Sequence, residues 1–402
     1  MDELPTLLIT FTGRDRPGVT TAVFAALSGY PVEVLDIEQV VLRGRLVLGV
    51  LLTLPRDAKK LVNAASQVGA DLEMEVEISR GIGDNRSRRD GRSHVTVLGT
   101  PLRPPAVAAM AGRIADSGAN IDRIVRMARY PVTAIEFHVS GAQPDRLRAL
   151  LATEAARQQV DVAVQHAGLQ RRGTRLVVMD VDSTLVQTEV IEMLAARAGC
   201  LEEVARLTES AMHGHLRFEE SLRRRVALLA GLRVEALADV YRALDLAPGA
   251  RTLVRTLKRL GYRFAIVSGG FTQITDLLAT DLGIDFAAAN TLEVAGGRLT
   301  GALTGPIIDR GGKASALRGF AELAGIPLSQ TVAIGDGAND LDMLNAAGLG
   351  IAFNAKPVVR DAVATAVNVP YLDAILYLLG ITREEIEAAD AESGLITPAP
   401  PV

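Results

Sequence analysis

Apolar positions along this chain recur with two alternating periods, and each change of period marks a new element. Residues 7–11 form a short apolar run that reads as a strand. Residues 19–27 carry a helical pattern that Gly29 can stop. Residues 32–41 and 46–54 read as strands joined at Arg43-Gly44-Arg45. A second helix over 58–68 and a strand over 72–78, its acids alternating, complete a β-α-β-β-α-β split unit. Residues 81–93 are polar and glycine-rich without periodicity, an exposed connector whose arginines are read as solvated. The pattern then repeats: strand 94–98, helix 105–117, strands 120–127 and 134–139, helix 144–158, strand 160–165.

A short linker over 168–173 leads to a different pattern. The apolar run Leu176–Met179 ends abruptly in Asp180 and Asp182, with Ser183 and Thr184 behind them. Such a run reads as a strand buried on both faces of a parallel sheet, where ligands bind at the carboxyl ends of strands. A carboxylate pair at that mouth repels itself and loses hydration, so it needs a cation or a shared proton. The bland reading is a strand followed by an Asx/Ser turn. Residues 190–247 read as amphipathic helices with no strand. There, Phe218, Leu222, Arg225 and Leu229 share one face, which sets Arg225 in an apolar stripe. A guanidinium so placed needs an anion, either a ligand carboxylate or a salt bridge within the domain.

After Pro248-Gly249 a helix over 250–260 precedes a strand over 263–267 that ends in Ser268-Gly269-Gly270. Small residues let backbone N–H groups and a hydroxyl reach a phosphate oxygen, although a plain β-α turn looks similar. Residues 286–294 and 298–303 read as a hairpin around Gly296-Gly297. Lys313 follows Gly311-Gly312 and opens a helix; a strand over 331–334 ends in Gly335-Asp336-Gly337-Ala338-Asn339-Asp340. Repeated acids at a strand end, with no Cys or His cluster, indicate a hard, oxygen-seeking cation such as Mg²⁺. A last strand over 348–352 is followed by residues 359–379, helical in their later part.

The length of 402 residues exceeds one ordinary core and predicts several domains. A net charge of −4 argues against a nucleic-acid or acidic-membrane partner held by bulk electrostatics. Cys200 is the only cysteine, so neither a disulfide framework nor a cysteine metal site is expected. No basic-then-apolar leader and no apolar run of membrane-spanning length is read, and the expected compartment is the cytosol. His94 and His138 are read as lone structural histidines, and His213-Gly214-His215 lacks a third ligand nearby.

The ordered set Asp180-x-Asp182-x-Thr184, Ser268, Lys313 and Gly335-Asp336-x-x-x-Asp340 resembles the haloacid-dehalogenase-like (HAD) phosphatase superfamily. Glu189 and residues 218–225 look like those of its phosphoserine phosphatases, and 190–247 resembles the family's helical cap. The tandem N-terminal copies, with Gly13-Arg14-Asp15-Arg16-Pro17-Gly18-Val19 at the first loop, resemble ACT domains. Those are amino-acid-sensing modules that pair edge to edge and hold an effector where the first loop meets its partner. Gly18 permits close approach to a ligand, and the helix start offers N–H groups to a carboxylate; the plainer reading is a tight turn. The second copy has Arg103-Pro104-Pro105-Ala106 there, without a glycine, which fits a dimerising face alone.

The expected architecture is thus α/β: a doubly wound, Rossmann-like HAD core with a helical cap, preceded by two ferredoxin-like α+β ACT domains. The boundaries are 1–80 and 94–166 for the ACT domains, 81–93 for their linker, 174–189 with 248–385 for the core and 190–247 for the cap, with a disordered tail over 390–402. The resemblance implies Mg²⁺-dependent hydrolysis of O-phospho-L-serine, the last step of serine biosynthesis, through an aspartyl phosphate. Asp180 is the implied nucleophile and Asp182 the acid and base; Asp180, the Asp182 carbonyl and Asp336 hold the metal. Ser268, Gly269 and Lys313 take the phosphate. Asp340 and Asn339 orient the metal's water shell and Lys313. Glu189 meets the substrate ammonium, Arg225 its carboxylate, and Met212 and Phe218 shape the pocket. L-serine is the implied effector at Asp15 and Gly18, and a homodimer the implied assembly, with no nucleic-acid or membrane partner. The competing readings are a related HAD phosphatase or phosphotransferase and a catalytically dead amino-acid sensor.

Overall fold

The computed structural model describes residues 4–83, 91–168, 171, 173, 175–212, 216–360, 362–363 and 365–397, without the Met212 side chain. Most of the 81–93 connector and His213-Gly214-His215 lie outside the described residues.

The first compact unit contains β1 (Pro5–Arg14), α1 (Val19–Leu27), β2 (Val34–Leu42), β3 (Arg45–Thr53), α2 (Ala58–Asp71) and β4 (Glu75–Ile82). Its antiparallel sheet has the order β2-β3-β1-β4. Alternation sends Leu7, Ile9 and Phe11 of β1 inward, against Val19, Val23 and Leu27 of α1 and Leu61, Ala65 and Val68 of α2. Arg43 and Gly44 both take left-handed backbone, φ 50° and 76°, as a two-residue hairpin turn with strand-matched twist demands. The last strand starts three residues later than its alternation suggests. Helix α2 runs on to Asp71, and Glu73 at φ 54° must reverse the chain before it can extend.

The second unit opens with the repeat of that plan: β5 (Ser93–Gly99), α3 (Pro104–Asp116), β6 (Asn120–Ala128), β7 (Thr133–Ser140), α4 (Pro144–Gln158) and β8 (Asp161–His166), in the order β6-β7-β5-β8. A seven-stranded sheet follows, ordered β12-β11-β10-β9-β13-β14-β15. Its strands are β9 (Leu176–Met179), β10 (Arg263–Phe271), β11 (Phe286–Ala295), β12 (Arg298–Thr304), β13 (Thr331–Gly335), β14 (Leu349–Phe353) and β15 (Ala366–Val367). Every pair is parallel except the β11–β12 hairpin, which turns on Gly296 and Gly297 at φ 56° and 72°. Between β9 and β10 stand α5 (Val190–Ala198), α6 (Leu201–Met212), α7 (Phe218–Ala227), α8 (Glu235–Arg242) and α9 (Ala250–Arg259). Helices α10 (Thr272–Leu282), α11 (Arg310–Ala324) and α12 (Leu341–Ala346) connect the later strands. Residues 359–379 hold the end of α13 (Pro357–Arg360), then β15, and are helical in their later part as α14 (Ile375–Leu378) with a 3₁₀ turn before it. A two-residue strand is too short to carry a period.

The second ACT-like sheet shares its core with the seven-stranded half. Leu98, Met127, Ala134 and Ala163 fall in one hydrophobic cluster with Leu376, Tyr377 and Leu379. Asn368 donates from its backbone N–H and side-chain amide to Asp161, at 2.7 and 2.6 Å. Nor are the two histidines solitary. His94 and His138 face each other across β5 and β7, each with a ring nitrogen 3.1 Å from Glu136 Oε1. The Arg171 guanidinium also donates to Glu136, and it reaches the Leu378 carbonyl at 3.3 Å. With Arg171 already on the carboxylate, the cluster reads as a structural tie. The start of the tail expected to be disordered, 390–397, is described, and its first residues are helical. Helix α15 (Arg383–Glu392) buries Asp390, which accepts from Arg255 at 2.9 and 2.6 Å and from Arg259 at 2.5 Å. Residues 398–402 of that expected tail lie outside the described residues.

Burial alone would raise the Glu136 pKa, but His138, His94 and Arg171 outweigh it and hold the carboxyl well below its usual range. The unfolded chain takes up that proton below about pH 4.5 while the native state does not, so this contribution is full above that pH and declines below it. Glu136→Ala, which strands Arg171, is expected to cost about 3 kcal/mol in denaturant unfolding. Glu136→Gln is expected to show a shallower loss of melting temperature than the wild type on acidification below about pH 4.5.

Candidate active site

Three adjacent parallel strands, β10, β9 and β13, deliver the chemistry at their carboxyl ends. The Asp180 N–H donates to the Ile334 carbonyl at 2.9 Å, extending the β9–β13 ladder by one residue. Ser183 then takes φ 58° and turns the chain, so that the buried Thr184 hydroxyl donates to Asp336 Oδ1 at 3.0 Å. Lys313 comes from the first turns of α11, whose start is capped by Asp309 accepting from the Gly312 N–H at 2.8 Å. Its side chain is 1% exposed, and Nζ lies 2.7 Å from both Asp180 Oδ1 and Asp340 Oδ1. Asp340 Oδ2 accepts from the Gly337 N–H at 2.9 Å. Position 335 must be glycine, because a Cβ there would lie 2.5 Å from Asp340 Cγ.

Carboxylate oxygens of Asp180, Asp336 and Asp340 lie within 4.8 Å of one another. One lysine faces this trio, so negative charge is in excess. Burial, then the Asp340 charge, pushes Asp180 well up against the pull of Lys313. The same two causes lift Asp336 to about 6. Burial works against the Lys313 cation, but Asp180 and Asp340 together outweigh it and raise its pKa. Three carboxylates, charge in excess and no sulfur or imidazole donor fit a hard divalent cation.

Asp182 faces away from the trio. Its Oδ1 accepts from the Val190 N–H at 2.8 Å and its Oδ2 from the Ser268 hydroxyl at 3.0 Å, and burial raises its pKa. Ser268 Oγ in turn accepts from the Gly270 N–H at 2.7 Å. Above this lies the helical insertion. Glu189 immediately precedes α5 and accepts from the Ser183 hydroxyl at 3.2 Å; burial, then the Asp182 charge, raises it to about 7. Arg225 on α7 is 9% exposed and donates to the Ser221 carbonyl and the Thr208 hydroxyl, both at a long 3.4 Å. Among the described residues no carboxylate pairs with it directly, and burial lowers its pKa against the attraction of Glu189 and Asp182. Phe218 packs on the backbone of Gly269, with Cζ 3.2 Å from where a Cβ would stand.

The fold therefore brings together Asp180, Asp182, Ser268, Lys313, Asp336 and Asp340, with Glu189 and Arg225 in electrostatic reach and Phe218 against Gly269. Asn339 is half-buried beside Gly337. The Met212 side chain lies outside the described residues. Asp15 and Gly18 are exposed in the first unit. Gly18 starts α1 at φ 92° with open space around it, so its backbone angle is what calls for glycine. Asp340 stands in the acidic trio and on Lys313, the residue the sequence reading has it orient. The Asp182 carboxylate is engaged by Ser268 and Val190, and the sequence reading likewise assigned only its backbone carbonyl to the metal. The sequence reading assigned no role to Thr184 or Asn290. A lone asparagine closing the run Ala287-Ala288-Ala289 was the available signal for the latter.

Residues 177–345 match the haloacid dehalogenase-like hydrolase family, and residues 5–79 and 92–165 each match an ACT domain. A phosphoserine phosphatase of Streptomyces coelicolor is 63% identical over 390 residues, 96% of this chain and 95% of that protein. One of Mycobacterium tuberculosis is 52% identical over 391 residues, again 96% of this chain and 95% of the relative. Among solved structures, a probable phosphoserine phosphatase from Vibrio cholerae superposes with a TM-score of 0.58 at 34% identity, covering 76% of this chain and 90% of that one. With near-complete coverage at such identity, the chain belongs to the phosphoserine phosphatase family of haloacid dehalogenase-like hydrolases, with two ACT domains preceding the hydrolase domain.

Proposed function

We propose that the protein hydrolyses O-phospho-L-serine to L-serine and inorganic phosphate, with Asp180 as the nucleophile. The observation that carries this is the division of labour between two neighbouring aspartates. Asp180 lies in the acidic trio, 2.7 Å from the Lys313 ammonium, while Asp182 lies off the trio on the Ser268 hydroxyl. Asp180, Asp336 and the Asp182 backbone carbonyl would hold Mg²⁺, with Asp340 alongside. When bound, the ion supplies Lewis acidity that offsets repulsion between the carboxylate and the phosphate.

Ser268, the Gly269 N–H and Lys313 take the non-bridging phosphate oxygens, where charge accumulates. A carboxylate oxygen of Asp180 attacks phosphorus, the bond from phosphorus to the seryl oxygen breaks, and the proton held by Asp182 passes to that oxygen. Burial favours the protonated Asp182 this step requires. Asp182, now ionised, takes a proton from water as the water oxygen attacks phosphorus, which releases phosphate and restores Asp180. Glu189 binds the substrate ammonium, Arg225 its carboxylate, and Phe218 closes over Gly269. Asn339 and Asp340 orient Lys313 and nearby water.

The reaction would complete serine biosynthesis in the cytosol, with serine acting back through the first ACT loop at Asp15 and Gly18. The edge strand β2 exposes Val34, Val40, Val41 and Leu42, an apolar edge that suits pairing in a homodimer. No described helix is long and apolar enough to cross a membrane.

Asp180→Asn is expected to lower turnover at least about 1,000-fold and to abolish acid-stable phosphoenzyme labelling. Chelation should abolish wild-type turnover and Mg²⁺ restore it; full activity in chelator would overturn the metal assignment. Arg225→Ala should lower kcat/KM for phosphoserine about 100-fold more than for p-nitrophenyl phosphate, which lacks the carboxylate. Equal losses would remove Arg225 from recognition. Asp15→Ala should weaken inhibition by free serine without changing uninhibited turnover, as read from dose–response curves. It is a cleaner variant than Gly18→Ala, which meets strain at φ 92° whatever binds there.

A further inference from the structure

We propose that Asn290, on β11, is a positioning residue that fixes the two phosphate-binding segments relative to each other. The inference rests on the phosphatase reading above and assigns a task that reading leaves open. Strands β10 and β11 pair at Val267 with Ala288 and again at Phe271 with Asn290. Three residues, Ser268, Gly269 and Gly270, thus stand on β10 where one stands on β11, and they bulge out of the ladder. The bulge turns Ser268 towards Asp182, but it deprives the Gly269 carbonyl of a ladder donor. Asn290 makes good the loss: its Nδ2 donates to the Gly269 carbonyl at 2.8 Å.

The same amide works in the other direction. Asn290 Oδ1 accepts from the Ile308 N–H at 2.8 Å. Ile308 immediately precedes Asp309, the residue that caps α11 and thereby sets Lys313. One planar side chain, 1% exposed, therefore bridges the segment carrying Ser268 and Gly269 to the segment carrying Lys313. Its donor and acceptor are separated by a fixed covalent distance, so the spacing of the two halves of the cradle is fixed with it. A buried amide satisfied at both ends has one favoured orientation, and an apolar residue of like size would leave two half-buried backbone groups without this partner.

The test uses full-length Asn290→Asp, which keeps the acceptor for Ile308 but replaces the donor to Gly269, together with Asn290→Ala. Wild type and variants are assayed with phosphoserine and with p-nitrophenyl phosphate, and inorganic phosphate serves as competitive inhibitor. Because the cradle touches only the phosphoryl group, kcat/KM is expected to fall about 100-fold on both esters alike. KM and the inhibition constant for phosphate should both rise. A merely structural role would lower the melting temperature and scale kcat with the folded fraction, leaving KM and the inhibition constant unchanged; that result overturns the proposal. Failure of both variants to fold would overturn it too, by assigning Asn290 to the fold. A wild type that hydrolyses neither ester would sink the phosphatase reading itself, whereas active wild type with unaltered variants sinks only the role of Asn290.

Discussion

A single buried lysine ammonium shared between two aspartates is the constraint to which the catalytic half is built. Lys313 lies 2.7 Å from both Asp180 and Asp340, almost wholly out of water. Charges so buried are tolerated only when paired and hydrogen-bonded. The pairing needs β9 and β13 in register, Met179 opposite Ile334, so that the chain leaves both strands at one level. It also needs α11 to begin where it does, which Asp309 enforces by capping, and glycine at 335, where any side chain would displace Asp340. Sheet register, helix cap and close backbone approach all answer to that one ammonium. Because it faces three carboxylates, the site keeps an affinity for further positive charge.

The second aspartate is freed for a different task by the same turn. Ser183 at φ 58° sends Asp182 towards Val190 and Ser268, away from the trio. Two carboxylates one residue apart thus acquire different surroundings. Burial raises both, but Asp180 is held beside the Lys313 ammonium within the acidic trio and Asp182 on the Ser268 hydroxyl. That difference in partners is what the proposed roles of nucleophile and proton carrier would require of one short loop.

Much of this was legible because it is local. The run Leu176–Met179 closing on Asp180 and Asp182, the glycines around Ser268 and the acids after β13 are each a few adjacent residues, and their order along the chain restricts the possibilities severely. The hairpin turns at Arg43-Gly44 and Gly296-Gly297 are equally local, since they depend on the backbone angles of two adjacent residues. What escaped depends on partners far away in sequence. Glu136 gains its meaning from Arg171 and His94, Asp390 from Arg255 and Arg259, and Asn290 from a bulge and a loop on two other segments. The start of β4 escaped for a smaller reason: the apolar pattern of α2 runs on without a visible stop, and only Glu73 in left-handed backbone ends it.

The shared core between the second ACT-like sheet and the end of the hydrolase chain alters where the molecule can be divided. Family boundaries invite a cut near residue 170, yet Ala163 and Leu98 are packed with Leu376 and Tyr377 across that line. A hydrolase fragment beginning at β9 would carry a bared greasy flank and an orphaned Asn368, and would be inclined to clump. The natural seam falls instead after β4, where one compact unit ends and the other begins. The second ACT copy is thus better regarded as masonry of the catalytic body than as a detachable sensor.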